Sequence, residues 1–226
     1  MSRPLLLDLF CGAGGAAMGY HRAGFDVIGV DVAPQPHYPF TFIQADALDV
    51  LENGEASAPY REGRQMCEVV AVHASPPCQQ FTAYRRKGHG VGDGYANLIP
   101  AIRKLLLAAG LPYVIENVEQ ARSELRDPVK LCGSMFGLDV QRHRLFESNV
   151  RIDQPRCDHS VWAPRFPPAT NRANQRKTVE VGVWRIPLHI QSAAMGIDWM
   201  TREELSQAIP PAYTGHVGRQ LLKELL

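Results

Sequence analysis

"PLLLDLFCGAGGAAMGYHRAGFDVIGVD" (residues 4–31) decides the kind of fold. Residues 4–10 form a short apolar run, interrupted only by Asp8 and stopped by a glycine cluster, the pattern of a buried strand. Residues 14–25 predict a helix closed by Gly24, and 26–31 predict a second strand ending in Asp31. Strand, glycine turn, helix, strand is the building unit of a parallel α/β sheet.

The unit repeats downstream. "FTFIQAD" (40–46) predicts a third strand ending in Asp46, and "EVVAVHA" (68–74) a fourth that leads into "SPPCQQF" (75–81). "YANLIPAIRKLLLAAG" (95–110) predicts a helix, and "LPYVIENV" (111–118) a fifth strand that delivers Glu116 and Asn117. Residues 53–65 are polar and turn-rich, and 88–94 are dense in glycine and expected to be mobile. The expected fold class is α/β: an open, mainly parallel sheet with helices on both faces. Ligands of such sheets lie beyond the carboxyl ends of the strands. Asp8, Asp31, Asp46, Cys78 and Glu116 are all expected at such ends.

After residue 127 the alternation decays, and 126–148 predict one or two further strands. Residues 149–187 are rich in proline and arginine and are expected to form a short irregular insert. "LHIQSAAMGI" (188–197) and "TREELSQAI" (201–209) predict short helices, and 210–226 a final amphipathic helix. The expected division is a catalytic body of 1–148, an insert of 149–187, and C-terminal helices of 188–226 that pack back on the body.

With 226 residues, the chain is long enough for one good-sized domain and a small appendage. Its net charge of +1 hides an asymmetry. Residues 1–60 carry two Arg/Lys and seven Asp/Glu, whereas 141–190 carry nine and four. That imbalance suits a molecule that meets a polyanion with one face, although solvated surface arginines give the same pattern. The five cysteines, Cys11, Cys67, Cys78, Cys132 and Cys157, are odd in number and widely spaced. This argues against a disulfide framework and for a reducing, cytoplasmic setting. No secretory leader or membrane span is expected. Cys157 and His159 form a "CDH" pair. Two ligands are too few for zinc, and although Cys132 can approach, no metal is expected.

"DLFCGAGG" (8–15) joins the first strand to the first helix and contains neither the Gly-Lys-Ser/Thr of a phosphate loop nor G-x-G-x-x-G. Asp31, about 20 residues on, suits a ribose hydroxyl pair, and Asp46 suits a base amine. Together they describe a ligand that carries a nucleoside but no pyrophosphate, as S-adenosylmethionine does. A purely structural turn is the alternative. Pro76 and Pro77 stiffen the approach to Cys78, which suits a thiol that must stay in place. A plain buried thiol explains an isolated "PPC" equally well. A carboxylic acid such as Glu116 beside a nucleophilic sulfur can hold a ring nitrogen while the sulfur attacks a ring carbon. On a strand, Arg142 and Arg144 would share a face and reach an anionic or carbonyl-bearing substrate.

In this order and spacing, "DLFCGAGG", "SPPCQ", "ENV" and "RHR" resemble the motifs of the DNA cytosine-5 methyltransferases. The likeness is good over residues 5 to about 148 and looser over the last thirty. It implies a Rossmann-like, S-adenosylmethionine-dependent fold and a methyl transfer to C5 of cytosine in double-stranded DNA. Asp8, Phe10, Gly12, Ala13, Gly14, Gly15, Asp31, Val32, Asp46, Ala47, Pro76, His216 and Val217 would line the cofactor site. Cys78 would add to C6 of the target base, and Glu116 would hold N3 and the exocyclic amine. Arg142 and Arg144 complete the catalytic set, with Arg144 on the ring carbonyl. The base must leave the duplex to be reached. Ser75, Gln79 and Asn117, with Arg85, Arg86 and Lys87 of a closing loop, would meet the DNA. Arg165, Arg172, Asn174, Arg176 and Lys177 of the insert would do the same, mostly at phosphates. The resemblance also implies double-stranded DNA and no membrane as partners. It implies a cognate restriction enzyme as a functional, non-physical partner, in a bacterial or phage-infected cell.

The chain departs from the family pattern at three places. Val140 holds the position usually occupied by a glutamine, with Gln141 adjacent. "TGHVG" has His216 where the family commonly has asparagine. The recognition region is confined to the 149–187 insert, which implies a short recognition sequence, because each good base contact adds about 1–3 kcal/mol of discrimination. A transfer-RNA cytosine-5 methyltransferase and a non-catalytic, cofactor-binding accessory protein are the rival readings.

Overall fold

Five leucine-rich residues begin the sheet. Leu5, Leu7 and Leu9 of β1 (Leu5–Leu9) bury into one core cluster and Leu6 into another, so the strand is covered on both faces. That demands layers above and below, the arrangement of parallel sheets. The computed structural model describes residues 2–53, 68–81, 96–160, 162–164 and 176–225. β2 (Asp26–Asp31) and β4 (Val69–Ala74) flank β1 in parallel, with β3 (Thr41–Gln44) beyond β2 and β5 (Tyr113–Asn117) beyond β4. β6 (Val129–Leu131) and β7 (Arg144–Ser148) complete the seven-stranded order β3-β2-β1-β4-β5-β7-β6, and β7 runs antiparallel to both its neighbours.

Two features of this order make the site. From β1 the chain winds outward to β2 and β3, then returns and winds the other way through β4 and β5. The crevice between the carboxyl ends of β1 and β4 is therefore a topological switch point, where α/β sheets bind ligands. In addition, an antiparallel strand begins where its neighbour ends. Asn117 pairs with Leu145, so Arg144 enters β7 at the edge where Glu116 leaves β5.

The helices cover both faces. α2 (Ala47–Asn53) and α3 (Ile99–Ala109) pack on the face of Leu5, Ile28, Val72 and Ile115. α1 (Gly15–Ala23) and α6 (Pro211–Leu225) pack on the face of Leu6, Val27, Ala71 and Val114. Arg103 of α3 reaches β7, where its Nε and one terminal nitrogen donate to the two Glu147 oxygens, each at 2.6 Å. A bidentate pair of this kind is a rigid tie. α4 (Leu188–Met195) and α5 (Arg202–Gln207) build a third cluster with Val140, Val179 and Ile186. α5 starts with a capping box, Glu204 N donating to Thr201 Oγ1 at 3.3 Å and Thr201 N to Glu204 Oε2 at 2.7 Å.

The insert is less irregular than its composition predicts. β8 (Trp162–Pro164) pairs in parallel with β9 (Arg176–Thr178) as a separate two-stranded sheet. Among the described residues no helix is long and apolar enough to cross a membrane.

The α1–α6 seam is made by absent side chains. A Cβ on Gly19 would lie 2.0 Å from Thr214 Oγ1 and 2.2 Å from the Pro211 carbonyl oxygen. Thr214 Oγ1 donates to the Ala16 carbonyl at 2.8 Å across the seam. This gives "TGHVG" a packing role. Thr214 and Val217 are fully buried, whereas His216 turns to Asp153, meeting its carbonyl oxygen at 2.7 Å. Val217 packs in the α1–α6 seam, and half-buried His216 lies beside Asp153. A Gly19→Ala change must push the helices apart and is expected to cost about 1–3 kcal/mol. Urea unfolding measures it, and a loss under 0.5 kcal/mol would contradict the close approach.

Candidate active site

The glycine loop is held from three sides. Phe10, Gly12 and Gly14 have φ of 57°, 48° and 83°. Positive φ at a bulky Phe is uncommon and persists only where its surroundings hold it. Asp31 holds part of the turn: its Oδ2 accepts from Gly12 N and its Oδ1 from Ala33 N, both at 3.0 Å. A C-terminal residue with no signal in its local sequence, Trp199, donates from Nε1 to the Ala13 carbonyl at 2.8 Å. Gly15 faces the α5–α6 linker, where an added Cβ would meet the Ile209 carbonyl oxygen at 2.5 Å.

Above Gly12 the space is open, with no atom within 4 Å of where a Cβ would stand. Val32, beside Asp31, is 69% exposed, an unusual position for an apolar side chain. Asp46 ends the β3 segment and caps α2, accepting from Leu48 N at 2.7 Å. An apolar surface flanked by two carboxylates, next to an open glycine turn, suits a nucleoside. Ala47 is buried in the core beneath. Asp8 is not at a strand end. It lies within β1, fully buried, and neither oxygen finds an aligned hydrogen-bond partner. Burial, then Asp31, raises its pKa well above the usual carboxylate value. Asp8 is therefore sealed beneath the loop and is not presented to a ligand.

Across the switch point stands the cysteine. Ser75 N donates to the Leu9 carbonyl at 3.1 Å, so the segment after β4 continues alongside β1. Asn117 Nδ2 donates to the Pro76 carbonyl at 2.9 Å, and Asn117 Oδ1 accepts from Val118 N at 2.9 Å. With both ends of its amide used and 1% of its surface exposed, Asn117 anchors the proline turn. Pro76 is buried and Cys78 half-buried. Phe81 N closes a turn onto the Cys78 carbonyl at 2.9 Å.

Glu116 is buried, and Arg144 Nε lies 3.1 Å from its Oε1. The charges touch, yet Oε1 lacks an aligned hydrogen bond. Burial raises the Glu116 pKa, opposed by Arg144 and then by a hydrogen bond from Ser75. Behind Ser75 runs a buried chain absent from the sequence reading. Tyr20 OH lies 2.9 Å from His73 Nδ1, and His73 Nε2 lies 2.8 Å from Ser75 Oγ. Burial pushes the His73 pKa down to about 3, so the ring is neutral. A neutral ring satisfies the chain if Tyr20 donates to Nδ1 and Nε2–H donates to Ser75, which leaves the serine proton for Glu116.

The two arginines part company. Arg144 opens β7, but Arg142 precedes the strand with φ 31°, so they do not share a strand face. Arg142 Nε donates to the Ala208 carbonyl at 3.0 Å and a terminal nitrogen to the Ser206 carbonyl at 2.5 Å. Tyr213 OH donates back to the Arg142 carbonyl at 2.8 Å. Burial, then Arg144, pushes the Arg142 pKa down to about 9. Arg142 is thus a positioning residue that ties the α5–α6 linker to the site. Gln141 lends its carbonyl to Gly133 N at 3.0 Å. Arg85, Arg86, Lys87, Arg165, Arg172 and Asn174 lie outside the described residues, and Arg176 and Lys177 are placed on β9 by backbone alone.

Burial raises the Cys78 pKa, Glu116 adds to the rise, and Arg144 and then Arg142 oppose it. Alkylation of Cys78, followed on its own peptide by mass spectrometry, should therefore be slow at neutral pH and gain rate above the usual thiol range. Glu116→Gln should speed it at fixed pH and Arg144→Gln slow it, each by up to about tenfold per unit of pKa. Equal rates in all three proteins would refute this electrostatic picture. Arg142→Met leaves two carbonyls unpaired and should cost about 2–4 kcal/mol in urea unfolding, a loss that Arg144→Gln should not reproduce.

Residues 5–128 match the family model for the C-5 cytosine-specific DNA methylases. Type II methyltransferase M.HgiGI of Herpetosiphon aurantiacus is 33% identical over 121 residues, covering 51% of this chain and 91% of that protein. M.XorII of Xanthomonas oryzae pv. oryzae is 51% identical over 158 residues, covering 66% of this chain. The chain spans only 32% of M.XorII and, at 26% identity, 42% of M.AgeI of Thalassovita gelatinovora. Among solved structures, the S. pombe Dnmt2 methyltransferase superposes with a TM-score of 0.58 over 99% of both chains at 14% identity, a likeness of fold. The Entamoeba histolytica methyltransferase EhMeth gives a TM-score of 0.59 at 12% identity over the whole of both chains. With more than half its length matched by the family model, the chain belongs to the C-5 cytosine-specific DNA methylases, the DNA cytosine-5 methyltransferases.

Proposed function

We propose that this chain transfers a methyl group from S-adenosylmethionine to C5 of a flipped-out cytosine in duplex DNA, with Cys78 as the covalent nucleophile. The observation that carries the reading is the convergence of Cys78, Glu116 and Arg144 where β4 and β5 end and β7 begins, across the switch point from the glycine loop and Asp31. The open space above Gly12, exposed Val32 and the Asp31 and Asp46 carboxylates fit the cofactor. When bound there, S-adenosylmethionine supplies the electrophilic methyl group that C5 takes.

The chain's own residues prepare the base. The Cys78 thiolate adds to C6, and electron density moves through the ring onto C5. Glu116, fed from behind by Ser75, His73 and Tyr20, holds N3 and the exocyclic amine and favours that addition. Its raised pKa suits an acid that carries a proton to N3. Arg144 steadies the ring carbonyl while balancing Glu116. Loss of the C5 proton then restores the double bond and expels the Cys78 sulfur. The ring face is shielded inside a duplex, so the base must swing out.

With residues 149–187 as the recognition element, few base edges are within reach, and the target is a short sequence. Duplex DNA containing 5-fluorocytosine cannot lose a C5 proton. It should trap the protein as a denaturant-resistant adduct in the presence of S-adenosylmethionine, and Cys78→Ser should abolish the adduct. Trapping on transfer RNA with none on duplex DNA would replace the DNA substrate, and absence of trapping on both would overturn covalent catalysis. Methylation sequencing of DNA from expressing cells reads the target directly, and a site of six defined bases would contradict the short-site inference.

A further inference from the structure

A second cluster of reactive side chains lies on the other side of the "RHR" segment. Cys132 follows β6, His143 stands between Arg142 and Arg144, and Cys157 and His159 lie in the chain that leaves β7. In sequence, Cys157 and His159 form the "CDH" pair, with Cys132 able to approach and His143 giving no signal. The fold brings Cys132 in and adds His143, and one ligand atom from each of the four lies within 4.8 Å of all the rest. Cys132 Sγ and Cys157 Sγ are each 3.1 Å from His159 Nε2, and Cys157 Sγ is 3.5 Å from His143 Nε2. The two rings stack, with centroids 5.1 Å apart. At ordinary zinc bond lengths the edges of an S₂N₂ tetrahedron are about 3.3–3.8 Å. The short separations need to open by tenths of an ångström, and the widest needs to close by about 1 Å.

We propose that Cys132, His143, Cys157 and His159 form a structural zinc site that fastens the start of the 149–187 insert to the arginine-bearing edge of the active site. The proposal does not rest on the methyl-transfer reading. Two thiolates and two imidazoles are a donor set that selects zinc over magnesium or calcium. Four protein ligands leave no open position for catalysis. The surrounding groups already orient the donors. Glu119 Oε2 lies 2.9 Å from His143 Nδ1, which turns Nε2 toward the sulfurs, the carboxylate–histidine arrangement of metal sites. Ser134 Oγ donates to Cys132 Sγ at 3.3 Å and lies 3.8 Å from Cys157 Sγ. The Cys132 thiol donates to the Gln141 carbonyl at 2.9 Å and gives up that proton when zinc binds. Two thiolates neutralise the ion, so Cys132 can remain buried.

The full chain, purified reduced and without chelator, should contain about one zinc per chain by elemental analysis. Replacing zinc with cobalt(II) should give the visible bands of a tetrahedral ion and an ultraviolet thiolate charge-transfer band. Cys157→Ser should lose both signals, whereas Cys78→Ser should keep them while losing the fluorocytosine adduct, so the zinc site and the catalytic reading fail separately. Metal-free wild-type protein that stays folded and gives no cobalt spectrum with its thiols reduced would overturn the proposal. So would a Cys132–Cys157 disulfide in the reduced preparation.

Discussion

The candidate site depends on keeping the Glu116 carboxyl group out of water beside the Arg144 guanidinium. A buried carboxylate with an oxygen lacking an aligned hydrogen bond is costly, and such groups survive in proteins where a charge or a ligand compensates. Here the compensation comes from Arg144, which arrives because β7 runs against β5 and starts where β5 stops. Were β7 parallel, its first residue would lie at the opposite end of the sheet. One reversal of strand direction therefore brings acid and base to a common point. The bidentate Arg103–Glu147 tie, three residues further along β7, holds that strand in place from α3.

The support around this pair comes from far along the chain. Asn117 locks the proline turn, Asp31 locks the glycine turn, and the His73 chain backs Glu116 from beneath the sheet. Arg142 and Trp199 bring in the C-terminal segment, one through the α5–α6 linker and the other through the Ala13 carbonyl. Few of these groups need to touch a substrate. They fix the backbone from which Cys78, Glu116 and Arg144 project, the rigidity that the proposed attack on one ring carbon requires.

Much of this could be read along the chain. The β1–α1–β2 unit, the proline-led cysteine and the Glu-Asn strand end all depend on residues close in sequence, where periodicity and turn chemistry carry the signal. What escaped depends on distance in sequence. Asp8 and Asn117 look like ligand contacts from their motifs, but burial assigns them to the scaffold. Strand periodicity pairs Arg142 with Arg144, but β7 starts only at Arg144 and the positive φ of Arg142 breaks the alternation. "TGHVG" resembles a cofactor motif, and its packing against the α1 seam carries no signal in the local sequence. His73 sat unnoticed in an apolar run, where a lone histidine carries no local signal. The four cysteine and histidine residues have no regular spacing, and only the hairpin of β6 and β7 with its exit segment gathers them.

The seam between α1 and α6 sets a condition on how the molecule is made. α1 follows directly after the glycine turn, yet the surface it buries belongs to α6, which is translated far later. Until residues 211–225 are free to fold, one face of the sheet is without half its cover, and Tyr20 and Phe25 stay partly open to solvent. A nascent or truncated chain can therefore carry Cys78, Glu116 and Arg144 and still lack a closed core. The core on the α1 face closes only when α6 has docked.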